Sequence, residues 1–187
     1  MEVGLLALWL PILVATVLVF VVCFFLFVVL PHHRTDFDGI DEEERFSVEL
    51  RNHNLKQGQY AFPFASSAVD LKDPEYQQRV RRGPVGILII QPNVMSPSVR
   101  QMAMQFVHFA MLTAIVAYIA GLVLPPGAGF ITVFHVVGAV AFVAHAGAHC
   151  VYPIWNYFSW SFALKCTIDG VLFAAATAGV FGWLWPM

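Results

Sequence analysis

Charge is missing from most of this sequence. No Asp, Glu, Lys or Arg occurs between Val3 and Pro31, or between Gln101 and Leu164. Each of these runs exceeds the roughly 20 apolar residues with which a helix crosses a bilayer. Hydrophobic residues make up 59% of the chain and charged residues 12%. These values argue against a soluble globule and indicate a protein that crosses a membrane several times and contacts the lipid bilayer.

The motifs of common soluble enzymes are also absent. The sequence contains no Walker loop, no Gly-x-Ser-x-Gly elbow, no HExxH and no GxGxxG pattern. Ten basic residues against 12 acidic ones leave no positive surplus for nucleic acid. The three cysteines, Cys23, Cys150 and Cys166, form no CxxC pair and predict no disulfide framework. The sequence therefore favours a protein without enzymatic activity and without a nucleic-acid partner.

The apolar runs predict an all-α membrane bundle of four transmembrane helices, with a small α+β extramembrane domain between helices 1 and 2. The first helix takes up residues 1–31 and the extramembrane domain residues 32–98. Residues 99–187 form the rest of the bundle, with helices at about 99–124, 130–152 and 162–185. Pro153 is expected to end the third helix.

The polar domain carries start and stop signals for short elements. Asp41 and Glu44 have the spacing of a capping box, and Asp73 before Pro74 is a typical N-cap. The predicted elements are a helix to Asn52, a strand Gln59–Phe62, a helix from Asp73 to about Arg82 and a strand Val85–Ile90, which could instead lie along the membrane interface. Ser96, Pro97 and Ser98 are expected to cap the next helix.

Four segments resemble a widespread family of small, uncharacterised bacterial inner-membrane proteins. They are Pro31–Phe37 (PHHRTDF), Gly58–Pro63 (GQYAFP), Gly83–Asn93 (GPVGILIIQPN) and Asp169-Gly170 with Thr177–Pro186 (TAGVFGWLWP). The resemblance covers nearly the whole chain and implies the same order of spans. It implies no activity, substrate or cofactor, and His145 and His149 lie outside its pattern.

The distribution of basic residues predicts the orientation. Nine of the ten Lys and Arg residues lie between Arg34 and Arg100, and Lys165 follows the turn between spans three and four. With four spans, these positions share one side of the membrane. The positive-inside rule places residues 32–98 in the cytoplasm and both termini outside. Together with the family resemblance, this predicts a multi-pass protein of the bacterial inner membrane.

Three histidines and one aspartate are predicted to lie at the same depth. His145 and His149 are four residues apart, so they share a helix face. His108 lies 19 residues before the turn near Gly127, and Ala146 lies 19 after it. Counting from the next turn places Asp169 at that depth as well. The sequence alone does not determine whether the helices turn these side chains toward one another.

Three interpretations of these residues remain open. His108 could pair with His145 or His149 to hold a haem b. His108, His145, His149 and Asp169 could instead hold zinc or non-haem iron. The leading expectation is that they bind no cofactor and join helices or contact a neighbouring subunit. Asp169 is expected to pair with Lys165, four residues earlier.

Small residues on the last two spans predict close helix contacts. On the fourth span they are Ala175, Ala178, Gly179 and Gly182, and on the third they include Gly138 and Gly147. These faces could pack within the bundle or against another membrane protein. The leading function is therefore a non-enzymatic accessory or scaffold subunit of a larger membrane complex, respiratory or photosynthetic. The alternative is a haem- or metal-binding membrane redox protein that uses the intramembrane histidines.

Overall fold

The computed structural model describes residues 3–95 and 97–187 and divides into two compact units. One unit contains the chain up to Phe37 together with the segment that follows Ser96, and the other is Asp38–Met95. Ser96, part of the predicted cap, lies outside the described residues. The helices and strands are α1 (Trp9–Phe24), α2 (Glu43–Asn52), β1 (Gly58–Phe62), α3 (Pro74–Arg82), β2 (Gly86–Ile90), α4 (Val99–Val123), α5 (Phe130–Ala146), α6 (Val151–Asn156) and α7 (Trp160–Leu184).

Four helical segments are long and apolar enough to cross a membrane. They are Leu5–Val29, Val99–Val123, Phe130–Asn156 and Trp160–Leu184, each 25 to 27 residues long. The first is composite, because 3-10 turns precede α1 and a π-helical turn at Phe25–Val29 follows it. The predicted fold class is confirmed: the protein is a mostly helical, multi-pass membrane protein with a small α+β segment between its first two spans.

The Asp38–Met95 unit is built on a two-stranded antiparallel sheet. Gly58 pairs with Ile90 and Phe62 with Gly86. The second strand therefore pairs with the first, as one of the two interpretations of this segment predicted. Asp73 caps α3 as predicted, with its carboxylate accepting from the backbone N–H of Glu75 at 2.9 Å. The predicted capping box at Asp41 is wrong. The helix begins later, and Glu42 precedes it in the left-handed region at φ 52°, without a side-chain cap.

The start of α4 is fixed by a reciprocal cap. The hydroxyl of Ser98 accepts from the backbone N–H of Gln101 at 3.3 Å, and the side chain of Gln101 accepts from the backbone N–H of Ser98 at 2.7 Å. This capping box satisfies donors that have no partner within the helix. It fixes the end of the helix that carries His108.

The core of the membrane unit is formed by all four spans. Its fully buried side chains include Ala15 on α1, Val116 on α4, Val137 on α5 and Phe181 on α7. The helices α5 and α7 approach closely at Gly170, where a Cβ atom would lie 2.7 Å from the Cβ of Ala146 and 3.0 Å from the carbonyl oxygen of His145. A glycine therefore sets the spacing of the helices beside His145.

The predicted small residues divide between two surfaces of the last helix. Gly138 lies against Ala178, and Gly182 lies against the ring of Phe130, so these positions pack within the chain. Gly179 has no atom within 4 Å of a Cβ built on it. Ala175, one turn earlier, is exposed on the same surface of the bundle. Gly147 would meet only the preceding turn of its own segment, around Val143.

The third span is broken, which corrects the prediction of one helix over residues 130–152. The helix α5 ends at Ala146, turns follow, and Pro153 lies inside the short α6 rather than after the span. A proline inside a continuous helix would leave the carbonyl of His149 without its bond and would clash with it. In the first turn of α6, the missing N–H of Pro153 costs nothing. His149 consequently lies in a turn.

The two ends of the membrane unit meet at its α4–α5 turn. The backbone N–H of Val3 donates to the carbonyl of Gly121 at 3.0 Å. A Cβ atom added at Gly121 would collide with the carbonyl oxygen of Val3. The backbone N–H of Gly127 donates to the carbonyl of Pro186 at 2.8 Å. The indole of Trp185 donates to the carbonyl of Pro125 at 3.0 Å. These bonds hold both described ends of the unit against one turn.

Candidate metal centre and adjoining cavity

A cluster of polar side chains joins the end of the first span to the start of the fourth. Pro31 follows the π-helical turn, and the chain continues as a 3-10 turn, Pro31–Asp36. Lys165 and Asp169 are four residues apart on α7, so they share one face of that helix. The 3-10 turn lays its side chains against this face, and Asp169 is 3% exposed.

The ring of His33 bridges two carboxylates. Its Nε2 lies 2.8 Å from Oδ2 of Asp169, and its Nδ1 lies 2.5 Å from Oδ2 of Asp36. The second oxygen of Asp169 lies 3.3 Å from Nε2 of His32. Phe27 stacks on the His33 ring at 4.2 Å with the two planes 13° apart. Two imidazoles therefore contact one buried carboxylate. The ring of His33 is held on its face by Phe27 and at Nδ1 by Asp36.

Lys165 is bonded to Asp36 and not to Asp169, so the predicted Lys165–Asp169 pair is wrong. The Lys165 ammonium donates to Oδ1 of Asp36 at 2.6 Å and to the hydroxyl of Thr35 at 2.9 Å. Spacing along α7 permitted the predicted pair, but the neighbouring segment supplies two better-placed acceptors. The two imidazoles meanwhile occupy both oxygens of Asp169.

Asp36 is an ionised outer partner of this cluster. Burial by itself raises the pKa of the Asp36 carboxyl, but hydrogen bonds and charge from Lys165 and His33 outweigh it and lower that pKa below its ordinary value. An ionised Asp36 accepts the Nδ1–H of His33. With Nδ1 protonated toward Asp36, Nε2 carries either a proton that it donates to Asp169 or, in the unprotonated state, the lone pair with which it could ligate a metal ion.

The cluster has the donor set and spacing of a metal site. One ligand atom each from His32, His33 and Asp169 lies within 4.8 Å of the other two. Within residues 3–95 and 97–187, these are the three residues that meet this condition. Two imidazole nitrogens with one carboxylate oxygen suit zinc or non-haem iron and leave coordination positions open. The His33–Asp36 bond is the outer-shell contact that usually orients a metal-binding histidine.

A cavity of about 870 Å³ adjoins this cluster, between α1, α4, α5 and α7. His108, His145, His149 and Asp169, which the sequence placed at one depth, all line it. Asp169 also belongs to the group of possible metal ligands formed with His32 and His33, but the other three histidines do not. The structure thus brings all four predicted side chains to one cavity. The compact group of possible metal ligands is instead formed by Asp169 with two other histidines, His32 and His33.

Two histidines of the cavity have buried ring nitrogens without hydrogen-bond partners. They are Nε2 of His145 and Nδ1 of His149. The edges of Phe109 and Phe173 contact the His145 ring, with ring centroids 5.8 and 5.7 Å away. His108 has an exposed side chain on the cavity wall. His145 is therefore held in place by aromatic contacts while one of its nitrogens is unused.

Sequence reasoning missed His32, His33 and Asp36 as site residues. A signal was present, because adjacent histidines and an aspartate follow directly after an uncharged span. They stand just outside the membrane run and were assigned to the extramembrane domain. Only the packing of the 3-10 turn against α7 shows that these three residues reach Asp169.

Comparisons with known proteins add no relative: no family model, no curated protein and no solved structure matches the chain.

Proposed function

We propose that the chain is a membrane metalloprotein in which His32, His33 and Asp169 hold one divalent transition-metal ion, zinc or iron(II). The observation that supports this proposal is the convergence of their three ligand atoms within 4.8 Å. Imidazole nitrogen and carboxylate oxygen are ligands that both metals accept. The bound ion would lie beside the cavity, since Asp169 contributes to both.

The charges of the cluster support a cation ligand. Before the imidazoles are counted, the carboxylates of Asp36 and Asp169 contribute two negative charges and Lys165 one positive charge, so a protonated His33 or a bound cation would balance this mostly buried site. The side chains of Asp36 and Asp169 are 2% and 4% exposed. A simple helix–helix contact needs only one histidine on Asp169. Here two are present, and His32 Nδ1 is buried without a partner.

The test is metal binding by the purified full chain. Wild-type protein in detergent is titrated with Co²⁺, a spectroscopic substitute for zinc or iron, and bound zinc and iron are measured by elemental analysis. One ion per chain is expected. His33→Ala should abolish binding, and Asp36→Asn should weaken it about 10- to 100-fold, since it removes the outer-shell carboxylate.

His53→Ala is the matched control, because His53 is exposed and belongs to the Asp38–Met95 unit. It should bind metal as wild type does. A wild-type chain that is metal-free and leaves the Co²⁺ spectrum unchanged would contradict the proposal. So would equal binding by His33→Ala.

We also propose that the protein lies in a bacterial inner membrane, with residues 32–98 in the cytoplasm and both termini outside. The distribution of Lys and Arg supports this orientation, because all ten lie on one side of a four-span chain. With the three native cysteines replaced by serine, cysteines introduced at Gly39 and Ala128 are exposed to an impermeant thiol reagent in intact cells, and only Ala128→Cys should react. Labelling of Gly39→Cys alone would reverse the orientation.

An accessory subunit of a larger membrane complex, respiratory or photosynthetic, is the second candidate function. The face of α7 that carries Ala175 and Gly179 favours it, since Ala175 is exposed and no described atom lies within 4 Å of a Cβ built on Gly179. Small residues on such a surface permit close approach of another helix. Gentle extraction from the native membrane should recover a partner that Ala175→Leu displaces. A chain that migrates alone would contradict this role.

A further inference from the structure

The cavity beside α5 contains buried histidine nitrogens that do not belong to the His32–His33–Asp169 group. Its volume of about 870 Å³ lies within the roughly 300–1,000 Å³ range of small-molecule and cofactor sites. Its walls are largely aromatic, with Phe20, Phe24, Phe27, Phe109 and Phe173. Side chains from all four spans contribute to it, and it is open on one side, where exposed residues such as Phe24 and Phe27 form its wall.

Nε2 of His145 and Nδ1 of His149 are the buried ring nitrogens of this cavity that have no hydrogen-bond partner in the described part of the chain, and His145 is the one held between aromatic rings. Leaving a buried polar atom without a partner is costly. The rings of Phe109 and Phe173 hold the imidazole by its edges. An imidazole nitrogen with a free lone pair in an apolar cavity is the usual protein ligand of haem iron.

The arrangement of the histidines excludes a bare ion shared among all three. Although His108, His145 and His149 line the same cavity, they are not among the residues whose ligand atoms meet within 4.8 Å in the described part of the chain. A metal-containing ligand of His145 would therefore bring its own metal and fill the space between separated side chains. A flat apolar macrocycle does both, and aromatic walls suit its faces.

We infer that the cavity binds one haem b, with Nε2 of His145 as an axial ligand to the iron. This site is separate from the His32–His33–Asp169 metal cluster and shares with it only Asp169 on its wall. The inference does not depend on metal binding at that cluster. It makes the chain a carrier of two metal groups near one side of the bundle.

Titration of the purified full chain with ferric haem b tests this inference. The wild type in lipid nanodiscs should bind one haem per chain, with a saturable, shifted and sharpened Soret band. His145→Ala should bind at least 10-fold more weakly and lose the shift. Added imidazole should restore the shift, because it can occupy the vacated position and ligate the iron.

His135→Ala is the matched control, since His135 lies on the same helix but not on the cavity wall. It should titrate as wild type does. Non-saturable absorbance that is identical in wild type and His145→Ala would show haem in the lipid alone and would overturn the inference. If His145→Ala misfolds, seen as lost helical circular dichroism, His145→Met decides. It keeps an axial ligand of similar bulk and should give a Soret band distinct from that of wild type, and an unchanged band would overturn the inference.

The two sites can fail separately. His33→Ala should lose the metal of the cluster and keep haem binding, whereas His145→Ala should keep the metal and lose haem. A wild type that gives no saturable Soret shift with added haem and still binds Co²⁺ would overturn the haem site and leave the metal proposal intact.

Discussion

Replacing Asp169 by alanine should abolish metal binding and lower the stability of the membrane unit. The change removes the one carboxylate ligand and leaves His32 and His33 without their shared acceptor. Leaving a buried hydrogen-bonding group without its partner typically costs about 1–3 kcal/mol. We expect a correspondingly large drop in the midpoint of denaturation, measured by circular dichroism in detergent, and no stoichiometric Co²⁺ binding.

Asp169→Asn separates these two effects. An amide can still accept and donate hydrogen bonds with the imidazoles, but it is a poor ligand for a divalent transition metal. The asparagine variant should therefore lose metal binding and keep much of the stability that alanine loses. If Asp169→Ala were as stable as wild type and bound Co²⁺ equally well, neither the network nor the metal site would stand.

Replacing Gly170 by alanine should force α5 and α7 apart. The new Cβ would lie 2.7 Å from the Cβ of Ala146 and 3.0 Å from the backbone oxygen of His145, and a backbone atom cannot move aside as a side chain can. Overpacking of this kind costs about 1–3 kcal/mol. The midpoint of thermal unfolding should fall, and Gly170→Leu should lower it further.

Gly179→Ala on the same helix is the control for helix propensity. No atom lies within 4 Å of its added Cβ, so the alanine should be neutral or should stabilise by up to about 1 kcal/mol. Equal melting of the two variants would show that the close approach at Gly170 is unimportant. A lower midpoint for Gly179→Ala than for Gly170→Ala would contradict the packing described between α5 and α7.

Most of the architecture could be predicted because it depends on local signals. Long uncharged runs predict spans, and the caps at Asp73 and Ser98 act within three residues of themselves. The break in the third span was harder, although Pro153 is visible in the sequence. A proline marks a disturbance without deciding whether the helix ends there or whether a new helix has begun just before it, and in the structure α6 begins at Val151, two residues before Pro153.

The site could be predicted only in part, because it depends on contacts between distant segments. Counting along antiparallel helices placed His108, His145, His149 and Asp169 at one depth, and all four line one cavity. The same counting could not show which residues Asp169 contacts. Its partners come from a turn about 136 residues earlier in the chain. Nothing in the local sequence distinguishes that turn from the start of a polar domain.

The bonds at the α4–α5 turn also make the membrane unit nearly a closed ring. Val3 is bonded to Gly121 on one side of that turn, and Pro186 is bonded to Gly127 within it. A short linker could therefore join the two ends without displacing a helix, and the chain could be opened instead near the exposed Gly39. Such a circular permutant would keep all four spans, the His32–His33–Asp169 group and the cavity. It would also offer new ends for attaching reporters away from this turn.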